Sequence, residues 1–280
     1  MGSPTQTAIV TGASHGIGPY IARALAAAGY NVVLTARSEA ELDRVARELS
    51  DSGARALAVA ADITDPSSQD RLLEAAERRF GAVDVLVNNA GGDPQREFDA
   101  MSWAENEAIV RLNALAPMQL THKLLPGMLR RERGHIVNVS SIGGRVGFPY
   151  LEAYAAAKDG LIAFTRVLRN DYRARGVSAS AVVLGAIRGA GQGQRTSDEM
   201  GTRLPAGATS PAEAVARAVV KAIKRDRAEV VVMPGPGRLL KAMFDLFPGL
   251  GAWMNNVTGA NATMTRVVEY RKEKASPASR

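Results

Sequence analysis

Seven short apolar runs recur along the chain, and a longer helical pattern fills nearly every gap between them. The runs are Thr7–Thr11, Asn31–Thr35, Ala56–Ala60, Val83–Asn88, His135–Ser140, Ser178–Leu184 and Glu229–Met233. Each is short and largely apolar, and turn residues bound most of them. That is the pattern of strands buried on both faces. Helical periodicity covers 17–28, 39–51, 67–80, 103–130, 154–175 and 211–224. Asp65-Pro66 opens the third of these segments, and Gly29, Gly53 and Gly81 follow helix ends. Such alternation predicts an α/β fold, a single doubly wound parallel sheet of about seven strands with helices on both faces. No repeat or linker divides the chain, so residues 1–235 are expected to form one domain.

Two segments break the rhythm. Residues 185–210 are rich in Gly, Thr, Ser, Arg and Gln with weak periodicity. They are expected to form a long loop, of the kind that serves as a lid. Residues 236–280 form an apolar extension with a basic tail. Its core, LLKAMFDLFPGLGAWM, is broken by Pro248 and Gly249, so it cannot span a bilayer. A cover over a binding mouth, a subunit contact, a peripheral membrane contact and plain core packing all stay open for it.

Composition excludes whole classes. Hydrophobic residues make up 46% of the 280, enough for a large core, while the 5% aromatic share leaves Ala, Val, Leu and Gly to fill it. Cysteine is absent, which removes disulfides, thiolate-held zinc and a thiol nucleophile. His15, His122 and His135 lie far apart and match no metal-binding spacing, so no metal is expected. The net charge of +7 is scattered, and no aromatic residues interleave with a basic stripe. An anionic small molecule therefore accounts for it better than nucleic acid. The first residues carry neither a basic leader nor an apolar run, and no stretch reaches the roughly 18 apolar residues of a membrane span. The cytoplasm is the expected compartment.

Three motifs carry chemistry. Thr11-Gly12-Ala13-Ser14-His15-Gly16-Ile17-Gly18 leaves a strand and opens a helix. There Gly12 permits a tight turn, Gly16 clears space for a pyrophosphate, and Gly18 allows helix and strand to touch. At the end of the second strand, Thr35-Ala36-Arg37 lacks the acid that would hold the ribose hydroxyls of NAD. Arg37 suits a ribose 2′-phosphate instead, and His15 is placed to help. Finally, Tyr154 and Lys158 lie four apart on one helix face. An ammonium beside a phenol stabilises the phenolate, so Lys158 together with an oxidised nicotinamide ring is expected to lower the tyrosine pKa. A bare glycine turn, a surface arginine and a chance Y-x-x-x-K remain the alternatives for each motif taken singly. Ser141 lies at a strand end 13 residues before Tyr154, Asn88-Asn89-Ala90-Gly91 ends the preceding strand, and Asn113 falls in the long helix between them. Carboxyl ends of parallel strands share one crevice, which brings these residues to the same edge.

In this order and at these spacings, the motifs resemble the short-chain dehydrogenase/reductase family over about residues 5–235. The resemblance implies a Rossmann-like domain and an NADP(H)-dependent oxidoreductase that reduces a ketone or oxidises the matching secondary alcohol. It implies Tyr154 as acid/base, Ser141 as hydrogen-bond donor to the reacting oxygen, and Lys158 as ribose ligand and pKa modulator. Asn113 would hold a proton-relay water, with a helix-kink role as its alternative. Gly12, Ser14, His15, Gly16, Ile17, Gly18 and Arg37 would bind the cofactor, together with Asp62 and Ile63 at the adenine. Asn89, Ala90 and Gly91 would line the adenosine-ribose side. Ser140, on the opposite side of its strand, reads as structural. After the sixth strand, Leu184-Gly185-Ala186-Ile187-Arg188 replaces the family's Pro-Gly and Thr, leaving Gly185 and Ile187 as the expected carboxamide-side contacts. The resemblance also implies a homodimer or homotetramer built through 103–130 and 154–175. A 3-oxoacyl thioester reductase and a non-catalytic NADP(H)-binding sensor are the alternative functions.

Overall fold

Alternation of side chains along each strand sets the layers of this molecule. A computed structural model describes residues 5–204 and 206–275, so the last five residues of the extension lie outside the described residues. The strands β1 (Thr7–Thr11), β2 (Asn31–Ala36), β3 (Ala56–Ala60), β4 (Val83–Asn88), β5 (Gly134–Ser141), β6 (Val177–Leu184) and β9 (Glu229–Val232) form one sheet in the order 3-2-1-4-5-6-9. Every pairing in it is parallel. Two further two-residue strands, β7 (Ile187–Arg188) and β8 (Ser210–Pro211), pair only with each other.

Ala8 and Val10 of β1 face a layer made by α1 (Gly18–Ala27), α2 (Glu39–Asp51) and α9 (Ala212–Lys224). Ile9, between them, faces α3 (Pro66–Phe80), α5 (Ala116–Arg130) and α7 (Glu152–Tyr172) on the other side. Both faces of the central strands are thus covered, which is why they read as unbroken apolar runs. The chain order reverses between β1 and β4, which opens a crevice at their carboxyl ends. The α3 start is fixed by Asp65, whose carboxylate accepts from the backbone N–H groups of Ser67 and Ser68 at 3.1 Å each.

Two expectations are corrected. The helix over 103–130 is α4 (Trp103–Val110) and α5 joined through a π-turn at Arg111–Leu115, because Asn113 bonds sideways out of the ladder. The expected loop over 185–210 instead holds β7, α8 (Gly191–Glu199), a short 3₁₀ turn and β8. Its helix is polar and glycine-rich, so composition conceals it. The extension forms α10 (Gly237–Leu246), α11 (Pro248–Val257) and α12 (Ala260–Ala275), after the short α6 (Gly143–Val146) on which it partly rests. Phe244 packs with Val146, Ile162 and Val183, so part of the extension joins the core. No helix among the described residues is long and apolar enough to cross a membrane.

Candidate active site

The glycine turn is stitched to the end of β4 by Thr11, whose part in this the sequence reading passed over. Its buried hydroxyl accepts from the backbone N–H groups of Asn89 and Ala90, both at 3.0 Å. Asn89 Nδ2 donates in return to the Thr11 carbonyl at 2.9 Å. Gly12 has φ +66°, and a Cβ on it would stand 2.8 Å from Ala90 Cα. A Cβ on Gly18 would lie 2.0 Å from the Gly12 carbonyl oxygen, so helix and strand touch there through backbone alone. At Gly16 a Cβ would meet only Gly191 of α8, from 3.5 Å. Ile17 caps α1 without a side-chain hydrogen bond; Pro19 has no N–H and Tyr20 N bonds the Ile17 carbonyl at 3.1 Å, so Gly18 is the first-turn N–H left to a ligand. A side-chain-free backbone cradle at the start of a helix fits a pyrophosphate.

His15 Nδ1 lies 2.9 Å from Ser14 Oγ. Partial burial lowers the His15 pKa, and the nearby positive charges of Arg195 and Arg37 push the same way. Arg37 itself is exposed just past β2. Asp62 follows β3 at the same sheet edge, where its carboxylate accepts from Thr64 N at 2.9 Å, while Ile63 is buried. Gly185 has a local packing reason, since a Cβ there would strike Met233 Cγ at 2.7 Å. Ile187 is buried in β7 and packs into the core.

The reactive groups gather at the ends of β5 and α7. Ser141 Oγ accepts from Gly143 N at 3.0 Å, and a Cβ on Gly143 would sit 3.3 Å from that oxygen and 3.8 Å from Tyr154 Cε1. A side chain there would therefore crowd both groups. Lys158 is buried, with Nζ 5.7 Å from the Tyr154 ring centre and donating to the Val139 carbonyl at 3.0 Å. Ser140 points to the other side, as expected, and donates to the Lys158 carbonyl at 2.7 Å. Asn113 donates to Gly92 O and Ile109 O, both at 2.8 Å, and accepts from Gly92 N. It is a helix-bending residue and a neighbour of the site at once. A Cβ on Gly91 would lie 2.6 Å from Asn113 Oδ1 and 3.0 Å from Lys158 Nζ, so Gly91, Asn113 and Lys158 form one contact.

Lys158 by itself does not lower the tyrosine. Burial pushes the Tyr154 phenol up to about 12, the Asp93 charge adds to the rise, and hydrogen bonding with Ser141 opposes it. Burial also pushes Lys158 down to about 8. Desolvation disfavours both charged forms and is the largest cause of each shift.

A roof closes over these groups, and the sequence reading missed the residues that hold it. Asp93 is pushed up to about 6 by burial, opposed by a hydrogen bond from Gln95 N and raised further by Glu152. Gln95 is buried with φ +52°, and its Oε1 accepts from Thr196 Oγ1 of α8 at 2.9 Å. Arg271 of α12 donates to Pro94 O at 2.6 Å, Gln95 Oε1 at 3.0 Å, Thr196 Oγ1 at 3.1 Å and Glu199 Oε2 at 3.0 Å. One guanidinium therefore ties the extension to the post-β4 segment and to the lid. Nothing in the local sequence marks Gln95 or Arg271, because their partners lie about 100 and 75 residues away in the chain.

Comparisons with known proteins agree with this arrangement. The short chain dehydrogenase family model matches residues 6–200. The ketoacyl reductase HetN of Nostoc is 38% identical over 235 residues, 82% of this chain and 79% of that protein. The 3-oxoacyl-[acyl-carrier-protein] reductase FabG of Vibrio cholerae is 35% identical over 218 residues, 76% of this chain and 88% of that one. Among solved structures, a metagenomic short-chain oxidoreductase in complex with NADP superposes with a TM-score of 0.69 at 32% identity, covering 83% of this chain and 98% of its own. A variant of actinorhodin polyketide ketoreductase with NADPH gives 0.74 at 30% identity, covering 83% and 97%.

Proposed function

The chain belongs to the short chain dehydrogenase family, and from that premise we propose that it is an NADPH-dependent ketoreductase converting a ketone, NADPH and a proton to a secondary alcohol and NADP. The observation that carries this reading is the gathering of Ser141 and Tyr154 about Gly143, with Lys158 buried one helical turn on and 5.7 Å from the Tyr154 ring centre. When bound, the cofactor supplies a hydride to the carbonyl carbon. Tyr154 Oη gives its proton to the carbonyl oxygen, and its protonated state at neutral pH suits the reducing direction. The Ser141 hydroxyl donates a hydrogen bond to the same oxygen as charge develops on it. Lys158, beside Gly91 and Asn113, stands behind the phenol and restores its proton. Gly12, Ser14, His15, Gly16, Ile17 and Gly18 hold the phosphates, and Arg37 the ribose phosphate. Asp62, Ile63, Asn89, Ala90 and Gly91 line the adenosine side, and Gly185 and Ile187 the nicotinamide side.

Residues 1–235 are the catalytic unit in this reading, and of the extension 236–280 the helix α12 serves as its roof. The names of the relatives favour a second reading within the class, a 3-oxoacyl thioester as substrate. A cofactor sensor without turnover is the less favoured alternative, since both Tyr154 and Lys158 are retained. Assembly into a dimer or tetramer through α4, α5 and α7 is supported by Trp103, Leu115 and Val167, apolar residues exposed on that stretch of the surface. The test is NADPH oxidation, followed by absorbance, against small diketones, quinones, 3-oxoacyl thioesters and bulky cyclic ketones. Turnover that disappears in Tyr154→Phe while NADPH binding persists supports the reductase. Tight NADPH binding with no turnover on any ketone would favour the sensor.

A further inference from the structure

The charges of two guanidiniums from separate elements act on one imidazole in the glycine turn. Arg37 comes from the end of β2, His15 from the turn itself, and Arg195 from the lid helix α8. Neither arginine forms an ion pair or a side-chain hydrogen bond among the described residues. The carboxylate charge that reaches His15 is that of Glu41, which already accepts from Arg44 at 3.2 Å. Like charges gathered this way repel one another: burial lowers the proton affinity of His15 most, and the two arginines push it the same way.

Packing explains how a lid residue comes to stand there. The Gly191 nitrogen, at the start of α8, lies 3.5 Å from the point where a Cβ on Gly16 would stand. A Cβ on Gly191 would in turn meet Ile17 Cδ1 at 3.3 Å. Residues four apart share a helix face, so Arg195 continues the line that Gly191 begins. Its charge acts on His15 more strongly than that of Arg37 does. The lid seats glycine against glycine and carries a cation across the turn.

We propose that Arg195 is a specificity residue borne by the lid, reaching the ribose 2′-phosphate of NADPH alongside Arg37 and His15, so that closure of the lid itself reads that phosphate. The proposal rests on the NADPH reading above. A phosphomonoester carries close to two negative charges and accepts several charge-assisted hydrogen bonds, enough to offset the repulsion among the three basic groups. NADH lacks this group. It should therefore bind more weakly and also leave the lid less well held.

The experiment measures binding of NADPH, NADH, 2′,5′-ADP and ADP by calorimetry to the full chain and to the Arg195→Gln and Arg195→Lys variants. Arg195→Gln is expected to weaken NADPH and 2′,5′-ADP about tenfold while NADH and ADP change less than about twofold, and Arg195→Lys to recover part of the loss. In hydrogen exchange, 2′,5′-ADP should protect 189–199 of the wild type where ADP does not, and should lose that effect in Arg195→Gln. Equal weakening of NADPH and NADH would overturn the proposal, since the arginine would then be touching the shared pyrophosphate. A wild type that prefers NADPH, with an Arg195→Gln variant that keeps the whole preference, would overturn it too. A wild type that binds NADH as tightly as NADPH would instead sink the cofactor reading itself.

Discussion

The two halves of the catalytic cleft are held together by different means. On one side, the glycine turn, β4 and β5 ends and the start of α7 are joined by backbone contacts and buried side chains. Thr11, Asn113, Ser140 and Lys158 are all nearly inaccessible to solvent. On the other side, α8, α12 and the post-β4 segment meet one another through polar links, several of them exposed, such as Tyr270 Oη to Glu199 O at 2.8 Å and Arg271 to Pro94 O at 2.6 Å. Close-packed contacts tolerate little displacement, whereas solvated hydrogen bonds exchange with water at small net cost. A reaction centre that must hold reacting atoms in place belongs on the first kind of support. A roof that must open for substrate belongs on the second.

The largest effects should therefore fall on the fixed side. Tyr154→Phe should lower kcat roughly a hundred- to ten-thousandfold while leaving NADPH affinity within about twofold, measured by steady-state kinetics and fluorescence titration. A smaller but still severe effect is expected of Gly18→Ala, whose Cβ would be 2.0 Å from the Gly12 oxygen. Forcing the turn from the strand should cost about 1–3 kcal/mol in a denaturant titration and impair cofactor binding. The matching change in the lid, Gly193→Ala, meets nothing within 4 Å and should be neutral or slightly stabilising. Equal damage from both glycine changes would erase the distinction between the two sides.

On the roof, Arg271→Ala should raise the KM for the ketone several-fold, with a small change in melting temperature, because its hydrogen bonds hold the closed form rather than the core. A large loss of stability with unchanged KM would show that α12 is part of the core. The smallest effect is electrostatic. Asp93 is raised from 3.8 to about 6 in the folded protein, so its charged form opposes folding. The penalty is absent below pH 3.8, grows between 3.8 and 6 and is complete above about 6. Asp93→Asn should thus stabilise the fold on the order of 1 kcal/mol at pH 7 and leave it unchanged near pH 4, read from melting curves. Glu152 and Arg271 face the same carboxylate with opposite signs, so Arg271→Ala should enlarge the Asp93→Asn gain.

Local pattern and tertiary packing divide the molecule along the same line. The apolar runs place all seven strands of the main sheet to within a residue or so, because strands buried on both faces can contain little else. Gly12 and Gly18 are legible because their backbone contacts forbid a side chain, Gly16 because its φ of +66° favours glycine, and Tyr154 and Lys158 because helical spacing sets them on one face. The polar lid helix was hidden, since neither its composition nor its glycines favour a helix on their own. Gln95, Arg195 and Arg271 carried no local signal at all.

The sequence by itself determined the sheet, the glycine turn and the order of the reactive residues, because each follows from spacing within a few turns or strands. Tertiary structure alone decided the direction in which the proton affinities of Tyr154 and Lys158 shift, and the closure of the roof. A pKa depends on how much water the fold removes around a group, and a latch depends on which distant segments the fold brings together.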